Sequence, residues 1–367
     1  MNKTNVSIAL LGAALCLGAC QKMETEVTVK VAAGQDAPQA ITAMVTGDTL
    51  STSCETLADG TVVLHAAASD TLLARVGVDG AEGWNVVLDG EPVVIDFTGR
   101  EPLLVTGSKL NLRLAELRQR LRGFGEQEKG LMKDYSSLME HYAGQLPDSV
   151  MKVLDERYDQ IGKSRAEYVK KNAEDNRDNI LPAYLLLGMG GQLDMDFAAE
   201  FMQDYVYRDH SALAPVREAI AGEKNKQVGA PLADFTMNDL QGKSHSMSEY
   251  VGQGKWVLVD FWASWCGPCR REMPTVKACY EKYKDRGFLV VGVSFDSDHG
   301  AWAKAVTDLG ITWPQMSDLK GWDCQAGHLY NIKAIPATIL YGPDGKVVAS
   351  GLHGEELESK LAELLDR

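Results

Sequence analysis

The sequence predicts a multidomain protein with an N-terminal antiparallel β domain, a helical middle segment and a C-terminal α/β domain. Three successive hydrophobic patterns indicate this order. Polar and apolar residues alternate from about residue 26 to 108, and apolar residues recur at helical spacing from 109 to about 222. Strand-like and helix-like segments then alternate from about residue 228 onward. A length of 367 residues and a hydrophobic fraction of 45% suffice for two to three domains with buried cores.

Residues 1–19 are the predicted signal peptide. Lys3 precedes a 14-residue apolar run that ends at Ala19, which is too short to span a bilayer. The run ends in Leu-Gly-Ala-Cys, which resembles a bacterial lipobox and implies that Cys20 is lipidated. The alternative is an ordinary cleaved signal followed by a chance cysteine. The lipobox implies a lipid-anchored, periplasm-facing protein in the envelope of a Gram-negative-type bacterium, and Gln21, which is not aspartate, favours the outer membrane.

Residues 20–108 are the predicted β domain. We expect strands at Glu26–Val31, Thr61–His65 and Trp84–Leu88, because polar and apolar residues alternate there. The dipeptides Asp79-Gly80 and Asp89-Gly90 are typical of hairpin turns.

Residues 109–226 are the predicted helical segment with its linker. Leucines at helical spacing indicate an amphipathic first helix: Leu110, Leu114, Leu117 and Leu121. Such a stripe is explained either by core packing or by a surface that binds a partner. We expect Ala221–Lys226 to be a charged linker into the last domain.

Residues 227–367 are the predicted α/β domain. The expected strands are Lys255–Phe261, Phe288–Ser294, Ala337–Tyr341 and Lys346–Ala349, the last two joined by a hairpin turn. The expected helices are Arg270–Tyr283, interrupted at Pro274, and Trp302–Leu309 and Glu355–Leu365.

The Cys-Gly-Pro-Cys sequence that follows the first of these strands carries the clearest chemistry. Cys266 is expected at the start of a helix, where free backbone N–H groups and the helix dipole favour a thiolate. Cys269 lies one turn further on and is placed to resolve a mixed disulfide. A zinc site is the first alternative, but no second Cys-x-x-Cys pair is present and nothing completes a set with Cys324 and His328. A purely structural disulfide is the second alternative.

The remaining cysteines are less informative. Cys279 falls on the apolar face of the helix after the Cys-x-x-Cys sequence, which indicates a buried, inert thiol. Cys54 and Cys324 receive no role from their sequence context.

Several residues around the cysteine pair match one known family. Asp260 stands six residues before Cys266, Pro274 follows Cys269 by five, and Ile335-Pro336-Ala337-Thr338 precedes a strand. These positions resemble the thioredoxin superfamily. Glu272, together with the opening Val228-Gly229-Ala230-Pro231, resembles its TlpA/ResA-like branch of membrane-tethered thiol–disulfide oxidoreductases. The resemblance covers roughly the last 140 residues and implies a thioredoxin-like fold for them. Residues 20–108 resemble the β-rich domain found ahead of such lipoproteins.

Roles for the other site residues follow in part from this resemblance. Asp260 lies in a strand predicted to be buried, which raises the pKa of a carboxyl group, and it is the candidate proton acceptor for Cys269. Glu272 shares a helix face with Cys269. The resemblance implies a cis peptide bond before Pro336 and a backbone at Ile335 that pairs with an extended substrate. Trp265 is the candidate apolar rim of that contact. The alternatives without a role in the chemistry are a solvent-exposed Asp260, a solvent-exposed Glu272 and a Trp265 that only contributes to packing.

The predicted function is therefore that of an enzyme, a protein-disulfide reductase of the cell envelope. The resemblance implies exported disulfide-bearing proteins as clients, apocytochromes c among them, and a membrane thiol transporter as the electron donor. We expect no metal and no cofactor beyond the redox-active disulfide Cys266–Cys269. A net charge of −14 argues against nucleic acid as a partner. The oligomeric state stays open.

Two other functions compete with this prediction. The opening of the last domain also resembles the alkyl hydroperoxide reductase/thiol-specific antioxidant superfamily, which suggests a thiol-dependent peroxidase. Peroxidases of that kind carry P-x-x-x-T-x-x-C at the attacking cysteine, and residues 260–266 lack that proline and threonine. The other competitor is a partner-binding lipoprotein with secondary redox activity.

Overall fold

The structure is a computed structural model that describes residues 23–30, 51–57, 61–68, 71–76, 83–99 and 101–366. The predicted signal peptide and Cys20 lie outside these residues. The chain divides into two compact units, Met1–Ile161 and Gly162–Arg367. The three-part fold class is confirmed, since a β-rich region, a helical region and an α/β region follow one another along the chain.

The described strands of the first unit come first along the chain. They are β1 (Met23–Lys30), β2 (Ser51–Thr56), β3 (Val62–Ala68), β4 (Leu72–Val76), β5 (Trp84–Leu88), β6 (Val93–Asp96) and β7 (Leu103–Thr106). Among the described residues, one sheet has the order β2-β3-β1-β6-β7, and β4 and β5 pair separately as an antiparallel hairpin. Neighbouring strands of this five-stranded sheet are antiparallel, except for the parallel pair β1–β6. Inward-facing valines such as Val29 and Val62 are fully buried in its core.

Two long helices follow, α1 (Lys109–His141) and α2 (Asp148–Glu174). The buried side chain of Asn111 accepts a hydrogen bond from the Val87 N–H at 2.9 Å and donates one to the Val87 carbonyl at 2.8 Å. The guanidinium of Arg118 lies 4.0 Å from the ring centroid of Trp84. Because these contacts join α1 to β5, the first helix belongs to the same compact unit as the strands.

The second unit begins within α2 and continues with α3 (Leu181–Met189), α4 (Met195–Phe201) and α5 (Ala214–Lys224). The predicted linker Ala221–Lys226 is wrong, because residues 221–224 form the last turn of α5. A Cβ atom on Gly222 would lie 2.7 Å from the backbone nitrogen of Asn331, so glycine permits the close packing of this turn. The Asn225 side chain also donates to the Leu329 carbonyl at 2.9 Å. Tertiary contacts therefore fix a charged stretch that has the composition of a linker.

The α/β part of the second unit contains the remaining elements. They are β8 (Thr236–Asn238), β9 (Ser244–Ser246), β10 (Trp256–Trp262), α6 (Gly267–Tyr283), β11 (Phe288–Ser294), α7 (His299–Asp308), β12 (Gln315–Met316), α8 (Gln325–Leu329), β13 (Ala337–Tyr341), β14 (Val347–Ser350) and α9 (Gly354–Leu365). The main sheet has the order β12-β11-β10-β13-β14 among the described residues. Strands β10, β11 and β12 are parallel, whereas β13 and β14 are antiparallel to their neighbours.

Helix α6 differs from its prediction at both the start and the proline. It begins at Gly267, three residues before the predicted start, and runs through Pro274 to Tyr283. The proline removes one backbone hydrogen bond. The apolar face on both sides of it stays buried, with Cys269 and Met273 before the proline and Val276 and Cys279 after it. Burial of that face holds the helix together across the proline. None of the described helices combines the length and apolar character needed to cross a membrane.

Candidate active site

The site lies where β10 ends and α6 begins. Cys266 is the N-cap residue of α6, and its sulfur accepts a hydrogen bond from the Cys269 N–H at 3.1 Å. Strand β10 fixes this position because it pairs with β11 along one edge and with β13 along the other, and its residues from Val257 onward are buried. The Cys269 N–H therefore points at the sulfur, and the N-terminus of α6 stabilises negative charge there.

Cys266 and Cys269 form a disulfide, with Cα atoms 5.3 Å apart. Only 4% of Cys266 and 2% of Cys269 is exposed to solvent. Most of the disulfide is therefore covered by neighbouring residues, and Cys266 is the more exposed of the two cysteines.

The loop before β13 lies next to Cys266. The peptide bond between Ile335 and Pro336 is cis, which is the conformation expected from the family resemblance. The sulfur of Cys266 lies 3.7 Å from the carbonyl oxygen of Ile335. The backbone of a half-buried residue thus lies next to the disulfide, where an extended polypeptide could pair with it.

Two carboxyl groups lie on β10 and α6, the strand and the helix that meet at the cysteine pair. Asp260 is 4% exposed on β10, opposite Gly292 of β11 and Thr338 of β13. Burial, and secondarily the negative charge of Glu272, raises the pKa of Asp260 to about 7. Glu272 is half-buried on α6 and accepts a hydrogen bond from the backbone N–H of Gly354 at 2.6 Å. A carboxyl group with a pKa of about 7 suits the transfer of protons near neutral pH.

A third carboxyl group, which the sequence interpretation missed, supports the loop before Cys266. Asp296 is buried just after β11 and accepts hydrogen bonds from the backbone N–H of Ser264 at 2.9 Å and from the Ser264 hydroxyl. The Ser294 hydroxyl also donates to it at 2.7 Å. Because the parallel strands β10 and β11 end at the same edge of the sheet, a polar residue that follows β11 could have been predicted to lie near the residues that follow β10.

The exposed tryptophan that precedes Cys266 contacts a second aromatic residue, which the sequence did not indicate. Trp265 is 55% exposed, and its ring centroid lies 6.1 Å from that of Trp322, which is 49% exposed. Trp322 also contacts the buried Phe295, with centroids 5.2 Å apart. Trp322 is far from Cys266 in the chain, so no local pattern linked it to the site.

Two further cysteines, Cys279 and Cys324, lie outside this site. Cys279 is buried and free, as predicted, and Cys324 is also buried and free. Burial raises the pKa of each thiol to about 11, which keeps both protonated and unreactive. Cys54 lies in β2. No group of three or more His, Cys, Asp or Glu side chains suited to a metal ion occurs within the described part of the chain.

Comparisons with known proteins concern the same part of the chain. The AhpC/TSA family matches residues 228–350. The thiol–disulfide oxidoreductase ResA of Geobacillus kaustophilus is 32% identical over 137 residues, which cover 36% of this chain and 76% of that protein. ResA of Bacillus thuringiensis subsp. konkukian is 29% identical over 145 residues, or 40% of this chain and 80% of that protein.

A solved structure is similar to a comparable share of this chain. The thioredoxin domain of a thiol–disulfide oxidoreductase from Bacteroides vulgatus is 34% identical to this chain. The match covers 38% of this chain and 98% of that domain, with a TM-score of 0.36.

Proposed function

Because this chain belongs to the TlpA/ResA-like thiol–disulfide oxidoreductases of the thioredoxin superfamily, we propose that it reduces disulfides of exported proteins through Cys266 and Cys269. The family resemblance drawn from the motifs around Cys266 is confirmed by relatives that are themselves thiol–disulfide oxidoreductases. The single observation that carries the proposal is the Cys266–Cys269 disulfide at the N-terminus of α6, beside the Ile335 carbonyl.

The proposed reaction begins with the reduced protein. The Cys266 thiolate attacks one sulfur of a client disulfide, the client S–S bond breaks, and the second client sulfur leaves as a thiolate that takes a proton from water. Cys269 then transfers its proton to Asp260 and attacks the Cys266 sulfur, which releases the first client sulfur as a thiolate. Two electrons have passed to the client, and the protein is left with the disulfide seen in the structure.

Asp260 suits this proton transfer because its pKa of about 7 leaves part of the population ionised at neutral pH. Glu272 is proposed to tune that pKa through its charge. Ile335 is proposed to pair through its backbone with the client segment that carries the disulfide, and Trp265 to form the apolar rim of that contact. The resting disulfide must be reduced again, and we propose a membrane thiol transporter as the donor of the two electrons.

The location of the protein is part of the proposal. Lipidation of Cys20 would anchor the chain in the cell envelope, facing the periplasm. The Cys20→Ala variant should then leave the membrane fraction for the soluble fraction when cells are fractionated. Continued membrane association of that variant would contradict the lipid anchor.

One experiment separates disulfide reduction from peroxide reduction. The full chain is supplied with a thiol reductant and tested for insulin reduction and, in parallel, for consumption of hydrogen peroxide and an alkyl hydroperoxide. We expect insulin reduction that is lost in Cys266→Ser, and peroxide consumption no faster than that of the reductant alone. Rapid peroxide consumption without insulin reduction would favour a peroxidase. The absence of both activities in the wild-type protein would favour a partner-binding protein.

A further inference from the structure

A cleft of about 440 Å³ lies between the helices of the second unit and the loop that leads to Pro336. Leu186 and Leu187 of α3 and Ala219 of α5 line one side. Ala334 and Ala337, the residues that flank Ile335–Pro336, line the other. The cleft is therefore continuous with the loop whose carbonyl lies 3.7 Å from the Cys266 sulfur.

The polar groups of the cleft bind one another. Glu223 accepts hydrogen bonds from the Asn331 side chain at 2.6 Å and from the Lys226 ammonium at 2.9 Å. Lys226 also donates to the Asn331 carbonyl at 3.4 Å. The surface left for a ligand is accordingly apolar, and an apolar ligand gains most from covering it. Lys333, exposed in the lining, has no ion pair with any described residue and disfavours a basic occupant.

The cleft is preformed. The packing of Gly222 against Asn331 and the hydrogen bond from Asn225 to Leu329 hold α5 against the α/β part of the same unit. The volume is sufficient for a few apolar side chains, and it falls in the range of protein sites for small ligands. A preformed apolar cleft lowers the entropic cost of binding an extended peptide.

We propose that this cleft binds an apolar, non-basic segment of the client polypeptide that flanks the disulfide-forming cysteine. The client backbone would pair with Ile335 while the neighbouring apolar side chains enter the cleft. The helical segment thereby selects clients for the thioredoxin-like part. This inference rests on the proposed disulfide reductase function and adds the specificity of that same site.

The test uses the full chain and two synthetic peptides, each with one intramolecular disulfide. One peptide carries four apolar residues beside its cysteine, and the other carries serine and glycine there. For the wild-type protein we expect a KM about tenfold lower for the apolar peptide, which corresponds to the burial of most of one apolar side chain.

Two substitutions in the cleft test its role, and one on the same helix serves as a control. Ala219→Trp fills the cleft, and Leu187→Asn makes its wall polar at a position that is already 36% exposed. Both variants should bring the ratio of the two KM values close to one. Ala221→Trp adds the same side chain to an exposed position of α5 outside the cleft and should keep the tenfold ratio. Thermal unfolding checks that each variant is folded, and Leu187→Asn decides the matter if Ala219→Trp is not.

Each other outcome overturns the inference in a recognisable way. Reduction of both peptides by the wild-type protein with equal KM values overturns the cleft as a client site while the reductase function stands. Reduction of neither peptide overturns the function and this inference together. A folded Leu187→Asn variant that keeps the tenfold preference also overturns it. If Ala219→Trp instead lowers the mass of the protein in sedimentation and leaves the preference intact, the cleft belongs to a contact with a second copy.

Discussion

The negative charge of Glu272 acts on the buried carboxyl group of Asp260. Burial contributes most to the raised pKa of Asp260, and Glu272 adds to it. Glu272 is held in place by the backbone N–H of Gly354, which donates to its carboxylate at 2.6 Å. A helix N-terminus thus orients the carboxylate that tunes its buried neighbour.

The first prediction concerns turnover in Asp260→Asn. The amide keeps the size and hydrogen-bonding capacity of the side chain but cannot accept a proton. Insulin reduction should slow by about 10²-fold, the lower end for the loss of a general base. The pH profile of Cys266 alkylation should also shift, because coupled groups titrate together. Wild-type turnover with an unchanged alkylation profile would leave Asp260 as an ordinary structural residue.

The second prediction concerns stability and pH. Asp260 has a pKa of about 7 when folded, above the value of about 3.9 in an unfolded chain, so the folded state binds more protons between these values. Its contribution to stability is fully present below pH 4 and is lost as the pH rises to 7. Relative to Asp260→Asn, the wild-type free energy of unfolding should fall by roughly 4 kcal/mol over this window and then stay level.

Urea unfolding of both oxidised proteins at several pH values measures this difference. The variant is the matched control, because all other titrating groups are common to the two proteins. A difference that stays constant from pH 4 to 8 would show that the carboxyl group of Asp260 titrates normally.

The third prediction separates the charge of Glu272 from its hydrogen bond. Glu272→Gln removes the charge and keeps an acceptor for the Gly354 N–H, so the pKa of Asp260 should fall while the melting temperature changes little. Glu272→Ala removes both and should also destabilise the protein by about 1 kcal/mol. Carboxyl titration by infrared difference spectroscopy follows Asp260 directly. An Asp260 pKa that is the same in Glu272→Gln as in the wild type would refute the coupling.

The fourth prediction concerns the exposed tryptophans. Trp322→Ala removes one of the two exposed tryptophans of the Trp265–Trp322 pair, and large exposed aromatics often dominate binding. The KM for insulin should rise about fivefold, with a smaller effect on kcat. Trp322→Phe retains an aromatic ring and should recover most of the loss. A fivefold fall in kcat with no change in KM would indicate that Trp322 supports the fold through its contact with Phe295 instead of binding the client.

Local patterns predicted several elements of the α/β part well. Phe288–Ser294 and Ala337–Tyr341 have the predicted bounds, because each is a largely apolar run: the first ends at Ser294, and the second is followed by the turn residues Gly342 and Pro343. The start of α6 was placed too late, since Cys266 takes the N-cap position and Pro268 fits the first turn. The cysteine pair, Asp260 and the loop before β13 were identified from spacing together with the family resemblance.

Features that depend on distant residues were not predicted. The end of α5 reads as a charged linker, and only Gly222 and its contact with Asn331 reveal a packed helix. Asp296 and Trp322 join the site through contacts with Ser264 and Trp265, which lie 32 and 57 residues away in the chain. Periodicity describes which face of an element is buried, but it does not identify the partner that covers it.

The most direct test of the account maps the mixed disulfide. Full-length Cys269→Ser and Cys266→Ser variants are reduced, mixed with a peptide disulfide and analysed by mass spectrometry after tryptic digestion. The account predicts a long-lived adduct on Cys266 in Cys269→Ser and no adduct in Cys266→Ser, because the sulfur at the N-terminus of α6 attacks and Cys269 resolves. An adduct on Cys269 in Cys266→Ser, or no adduct in Cys269→Ser, would contradict it.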